Sequence, residues 1–215
     1  MKKIIVAIIV ATAPMLMQAQ RSGLFAKKAV KGVSADSVYL APGAVPEEGG
    51  KIVFKDKIAA PGKGKSEIFA KLAQWASLRY EANSSRGQWT DADFFRNLEF
   101  AAVKKADKES GQIQCQGAEE LIFSIKVLAK NYTQAFYLLD LTANDGCVDF
   151  CLHNLAFNVD QGEGEFVRTS AENWISDKEC INKKGELRRI PGKFRIKTID
   201  LVAELKKEIA ESINK

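Results

Sequence analysis

One histidine, His153, serves a chain of 215 residues. That scarcity excludes most His-dependent acid–base catalysis and any metal centre built from several imidazoles. Charge of a single sign is scarce as well: 32 Lys and Arg stand against 27 Asp and Glu, a net of +5. So mild an excess is not that of a dedicated nucleic-acid binder, and no nucleic-acid partner is expected. Phosphate loops of the Walker or Gly-x-Gly-x-x-Gly kind are missing, and the nearest stretch, PGKGK at 61–65, reads as a turn and helix cap. A Gly-x-Ser-x-Gly nucleophile elbow is missing too. No cofactor and no catalytic residue are assigned. Cysteine is limited to Cys115, Cys147, Cys151 and Cys180, with no Cys-x-x-Cys pair.

What is present begins with an address. Residues 1–19, MKKIIVAIIVATAPMLMQA, carry Lys2 and Lys3, then an apolar stretch broken by Pro14, then a small residue, Ala19, before Gln20. This is the pattern of a secretory signal peptide; its uninterrupted apolar part falls short of the ~20 residues a spanning helix needs. No later segment reaches that length, so no transmembrane segment is expected in the mature chain. Cleavage after Ala19 would leave 196 residues at +3, because the leader holds two lysines and no acid. The expected location is the periplasm of a Gram-negative cell, or outside it. In that oxidising setting an even number of cysteines admits up to two disulfides, and four cysteines allow three pairings, which stay open.

Hydrophobic content of 46% is enough for one core. Residues 20–48 read as an N-terminal extension and 49–215 as a single domain. Ile52-Val53-Phe54 opens a short strand. A helix capped at Gly64 or Ser66 runs to about Tyr80, with Ile68, Phe69, Leu72, Trp75 and Ala76 on one face. Residues 82–96 read as a loop that packs down through Trp89, Phe94 and Phe95. Four strands follow: NLEFAAVKK, QIQCQGAEELIFSI with a bulge expected at Gly117, QAFYLLDLT, and CVDFCLHNLAF. Asp145-Gly146 predicts a two-residue hairpin turn setting Leu138 opposite His153, Asp140 opposite Cys151 and Thr142 opposite Asp149. Residues 161–197 read as irregular, with a short helix at SAENWISDKE. A last helix is predicted over about 199–212, its stripe made of Leu201, Val202, Leu205, Ile209 and Ile213. One antiparallel sheet with two helices packed on one face buries both stripes at once, an α+β fold.

Several segments carry a family likeness: YLAPGAVPEEGGKIVF, GKSEIFAKLAQW, DKESGQIQCQGAEELIF and AENWISDKECINKKGELRRIPGKFRIKTIDLVAEL. In these the chain resembles a family of exported bacterial proteins, a domain of unknown function described as having a TBP-like fold, that is, like the TATA-binding protein. The resemblance implies the β-α-β4-α layout already read from periodicity. It implies no activity, and fold alone implies no DNA binding.

Two constellations remain as candidates. Cys147, Asp149, Cys151 and His153 alternate on one strand face, with Asp140 across from Cys151. The ligand types suit zinc, but same-face neighbours on a strand lie ~6.7 Å apart, so four in a row do not converge on one ion, and no metal is assigned. The basic run 181–197 holds Lys183, Lys184, Arg188, Arg189, Lys193, Arg195 and Lys197 against one acid, Glu186. It is the candidate surface for an anionic partner, either an envelope protein or a charged surface. The expected function is that of a non-catalytic binding module in the cell envelope. One alternative is a carrier holding an apolar small molecule between sheet and C-terminal helix, with Phe100, Phe123, Tyr137, Phe150, Trp75 and Leu205 as its lining. Another is an envelope hydrolase using Cys151 or His153.

Overall fold

The structure is a computed structural model, and it describes residues 37–81, 101–126, 129–162 and 165–215. The expected leader 1–19, the expected loop 82–96 with Trp89, Phe94 and Phe95, and Phe100 lie outside the described residues. A short helix α1 (Ser37–Leu40) leads to a small two-stranded ribbon, β1 (Glu47–Glu48) with β2 (Lys51–Ile52). Strand β3 (Phe54–Ala59) then enters the main sheet. Helix α2 (Lys65–Ala76) starts at Gly64 and buries Ile68, Phe69, Leu72, Trp75 and Ala76, the stripe read from the sequence. One π-helical turn (Ser77–Glu81) extends it to Tyr80.

Strands β4 (Ala102–Asp107), β5 (Gln112–Lys126), β6 (Ala129–Asn144) and β7 (Cys147–Gly162) form an antiparallel meander. The spatial order is β3-β7-β6-β5-β4. The Asp145-Gly146 turn and its predicted register are found: Leu138 faces His153, Asp140 faces Cys151 and Thr142 faces Asp149. Leu139, Leu141, Val148, Phe150 and Leu152 are consequently buried on the helix-covered face, at roughly 1.5–3 kcal/mol of burial for each large side chain. The fold class is α+β, and both long helices lie on that one face.

Four expectations need correction. First, Gly117 is not a bulge, since it pairs in register with Tyr137. An added Cβ there would fall inside the Tyr137 ring, so the glycine makes room for an aromatic laid across the strand. The irregularity of β5 lies further along the same segment, between Ile122 and Ser124, and β7 carries another at Asn154, with φ +53, where three steps of β7 oppose two of β6. The bulge at Asn154 flips the parity of β7, so its core residues change from Phe150 and Leu152 to Leu155, Phe157 and Val159.

Second, residues 161–197 are more regular than expected. Strand β8 (Glu165–Ser170) pairs with the second half of β7. Two single-turn helices follow, α3 (Glu172–Ile175) and α4 (Asp177–Cys180). Third, the last helix, α5, spans Pro191–Asn214 and starts eight residues early. Proline at the first helical position lacks only an N–H that would have had no partner, so Pro191 opens the helix instead of blocking it. Fourth, the N-terminal extension merges with the domain before residue 48: Val45 is core, and the Tyr39 hydroxyl donates to Asp200 Oδ1 at 3.0 Å.

Candidate functional site

The polar face of the sheet brings His153, Asp140, Cys151, Asp149 and Cys147 together as the register predicted. His153 Nε2 lies 2.9 Å from Asp140 Oδ2, and Gln114 donates to the other carboxylate oxygen at 2.8 Å. Asp149 accepts from Asn144 and faces Lys57 at 3.4 Å. The carboxylates are thus occupied by neighbours in the plane of the sheet. Among the described residues no cluster of three or more His, Cys, Asp or Glu is placed to hold an ion. Burial, then the Asp140 charge, pushes the Cys151 thiol up from its ordinary value. A nucleophilic cysteine requires the opposite shift.

The disulfide candidates are all free thiols. Cys147 and Cys151 are four residues apart on one strand, ~13 Å, well beyond the 4.4–6.8 Å that a bridge spans between Cα atoms. Cys115 is buried on the opposite face of the sheet, in register with Leu139. Cys180 is buried in α4, where its thiol donates to the Trp174 carbonyl and burial pushes its pKa up to about 11.

A second constellation, which periodicity does not reveal, lies between α2, α5 and the sheet. Arg79 is nearly buried and bidentate to two carboxylates, Glu208 at 2.8 and 2.9 Å and Glu119 at 2.8 and 2.9 Å. Burial disfavours the guanidinium cation, but Glu119, the two phenols and Glu208 outweigh it, so the charge is held more firmly than usual. Trp75 Nε1 also donates to Glu208, and the Tyr137 hydroxyl donates to Glu119. Tyr80 and Tyr137 are raised above the ordinary phenol range, chiefly by burial. Each member is occupied by another member. The chemistry of this cluster is that of a clamp joining helix to helix and helix to sheet.

The basic run does not form one surface. Lys183 and Lys184 sit on the exposed turn of a one-bridge hairpin closed by Ile181 and Leu187. Arg188, Arg189 and Lys193 are exposed around the start of α5, and Lys197 is half-buried. Arg195 is fully buried, which removes it from the candidate surface. It donates to the carbonyls of Tyr39 and Ile175 and pairs with Asp177 at 2.7 Å, tying α1, α3 and α4 to α5. The stripe Val202, Leu205 and Ile209, extended upward by i−4 and i−7 steps, passes through Thr198 and Arg195. That signal marks Arg195 as inward-facing once the helix is known to begin at Pro191.

Arg189 and Lys193 stand at the edge of a cleft of about 800 Å³. One wall is the far end of the sheet, with Phe123, Asn131, Tyr132, Thr133, Asn158, Asp160 and Phe166. The other is Trp174 and the first turn of α5 with Ile190 and Phe194. Phe194 is the hub: its ring centroid lies 4.8 Å from that of Phe123, 5.2 Å from Phe157 and 4.7 Å from Trp174. Tyr132, Phe166 and Ile190 keep 37%, 39% and 59% of their surface exposed and give the cleft an apolar rim. Of the cavity residues read from the sequence, Phe123 is in this wall, while Trp75, Tyr137, Phe150 and Leu205 are core. Trp174 and Phe194 were missed because no local period marks them; only the early start of α5 and the extra strand β8 bring them together.

Residues 54–158 match the family model of a domain of unknown function (DUF4468) with TBP-like fold, as the motifs suggested. Among solved structures, the chain is similar to a DUF4468 family protein from Bacteroides ovatus, at 27% identity over 85% of this chain and 97% of that one, with a TM-score of 0.70. It is also similar to a TBP-like protein from Parabacteroides distasonis at 20% identity, over 79% and 97% of the two chains and with a TM-score of 0.62, a likeness of fold alone. No curated protein matches the chain. The matched residues include the sheet wall of the cleft as far as Asn158, whereas Phe166, Trp174, Arg189, Lys193 and Phe194 lie beyond them.

Proposed function

We propose that the protein is a non-catalytic binding module, exported to the cell envelope after loss of residues 1–19, and that it binds through the cleft at the far end of the sheet. The observation that carries this reading is the meeting of an aromatic-lined cleft of about 800 Å³ with two exposed cations of the basic run. Ligand sites are typically concave, largely apolar and furnished with a few polar groups, at about 300–1,000 Å³. The buried cations elsewhere, Arg79 and Arg195, are held by carboxylates of the same chain.

Two alternatives fare differently. A carrier for a small molecule between sheet and C-terminal helix gains support, because the cleft lies between those elements. A hydrolase on Cys151 or His153 gains none: the thiol is shifted away from reactivity and His153 is engaged with Asp140. The test is to express the full chain in a Gram-negative host, isolate the envelope fraction and record native mass spectra. The expected result is a chain beginning at Gln20 that carries a non-covalent adduct, lost in Phe166→Ser. A cytosolic chain with its leader intact would refute export, and bare protein across several preparations would count against the cleft.

A further inference from the structure

We infer that the ligand of this cleft is an amphipathic organic anion: an apolar ring or chain lying on the Phe123, Trp174 and Phe194 rings, and one acidic head held by Arg189 and Lys193. The inference rests on the reading of the cleft as the binding site and specifies what fills it. The floor is preformed, since Phe194 touches three other rings and is itself almost fully buried. A flat or extended apolar body therefore meets a surface that need not be ordered on binding.

The charges supply the second half. Arg189 and Lys193 make no ion pair among the described residues. They flank the start of a 24-residue helix that has no acidic residue in its first turn and no side-chain cap. Cations at the positive pole of a helix oppose folding, and an anion placed there reverses the sign of that interaction. Local rules broken without internal compensation are characteristic of binding sites. Asp160 is the acid of the strand wall, and it biases an anionic head toward the helix side. The head is thus a carboxylate, phosphate or sulfonate, since all three accept from Arg and Lys.

The test uses two dyes with one ring body, anilinonaphthalene sulfonate and its uncharged counterpart phenylnaphthylamine, titrated by fluorescence into the mature protein. The sulfonate should bind at one site per chain and at least about tenfold more tightly than the neutral dye, a factor worth ~1.4 kcal/mol. Arg189→Gln with Lys193→Gln should erase that preference and leave the neutral dye unchanged, whereas Phe166→Ser should weaken both. Competition then separates the sources of the body: displacement by a long-chain fatty acid assigns an acyl chain, and displacement by an aromatic carboxylate assigns a ring. Equal affinity for the two dyes, several sulfonates per chain, an unaffected double variant, or displacement by neither acid would each overturn the inference. A neutral adduct in the native mass spectrum would overturn it too, while leaving the cleft as a binding site. The absence of any adduct, together with dyes that fail to bind, would remove the reading beneath it.

Discussion

The two ends of helix α5 follow different rules. Toward its C-terminus, Leu201, Val202, Leu205, Ile209 and Ile213 are buried in a regular stripe. The charges there are matched: Glu208 with Arg79, Lys206 with Asp56 at 2.7 Å, Lys207 with Glu211. At its N-terminus the aromatics form a cleft wall and the exposed cations gather at the pole that repels them. The lesson is that one helix can have its charges matched at one end and carry exposed, unmatched cations at the other, even where the Gly192 and Lys193 N–H groups are met by the Arg188 and Ile190 carbonyls. Stability and recognition should therefore respond oppositely to mutation along it.

The largest effect expected comes from the matched end. Arg79→Met strands two partly buried carboxylates, Glu119 and Glu208, and should cost about 3–5 kcal/mol in a urea melt. Replacing all three residues with apolar ones should recover much of that loss, and a failure to recover would mean that the clamp has a role beyond packing. Next is Gly117→Ala, which drives a methyl into the Tyr137 ring, at about 1–3 kcal/mol. Tyr137→Leu in the same chain should relieve the clash, a coupling that a double-mutant cycle would read.

At the unmatched end the sign should reverse. Lys193→Glu places an acid in the first turn of α5 and should stabilise the fold by about 0.3–1 kcal/mol, while abolishing the sulfonate preference of the cleft. A destabilised Lys193→Glu would erase the contrast between the two ends.

The smallest effect is in acid. The Lys206 ammonium, hydrogen-bonded to Asp56, holds that carboxyl below its ordinary 3.8. A lowered carboxylate contributes stability above its unfolded pKa and loses it as pH falls through the folded value. The urea midpoint of the native chain should thus decline more steeply below about pH 4 than that of Asp56→Asn. Parallel curves would show that this exposed pair contributes nothing measurable.

Much of the fold was legible in the residues. Ile68 through Ala76 alternate at helical spacing, and Asp145-Gly146 between two β-rich runs sets the hairpin register. The polar sheet face was legible for the same reason, because a period of two assigns His153, Cys151 and Asp149 to one side once the turn is placed. The cleft was not. Its residues come from β5, β6, β7, β8, the α3 turn and α5, and no spacing rule links Phe123 to Phe194. The Arg79 clamp was hidden likewise, since Glu119 and Glu208 are separated from Arg79 by 40 and 129 positions.

The order of residues by itself determined the repeating features: which face of each helix and strand is apolar, where the chain turns, and that the fold is α+β. Those features depend on interactions a few residues apart, which helical and strand geometry make periodic. Tertiary structure alone decided that Arg195 is a buried tie and Lys193 an exposed cation at the cleft edge, that Gly117 yields to an aromatic ring, and that five aromatics line a cleft. Those outcomes depend on which distant segments share a volume, and burial is a property of that shared volume.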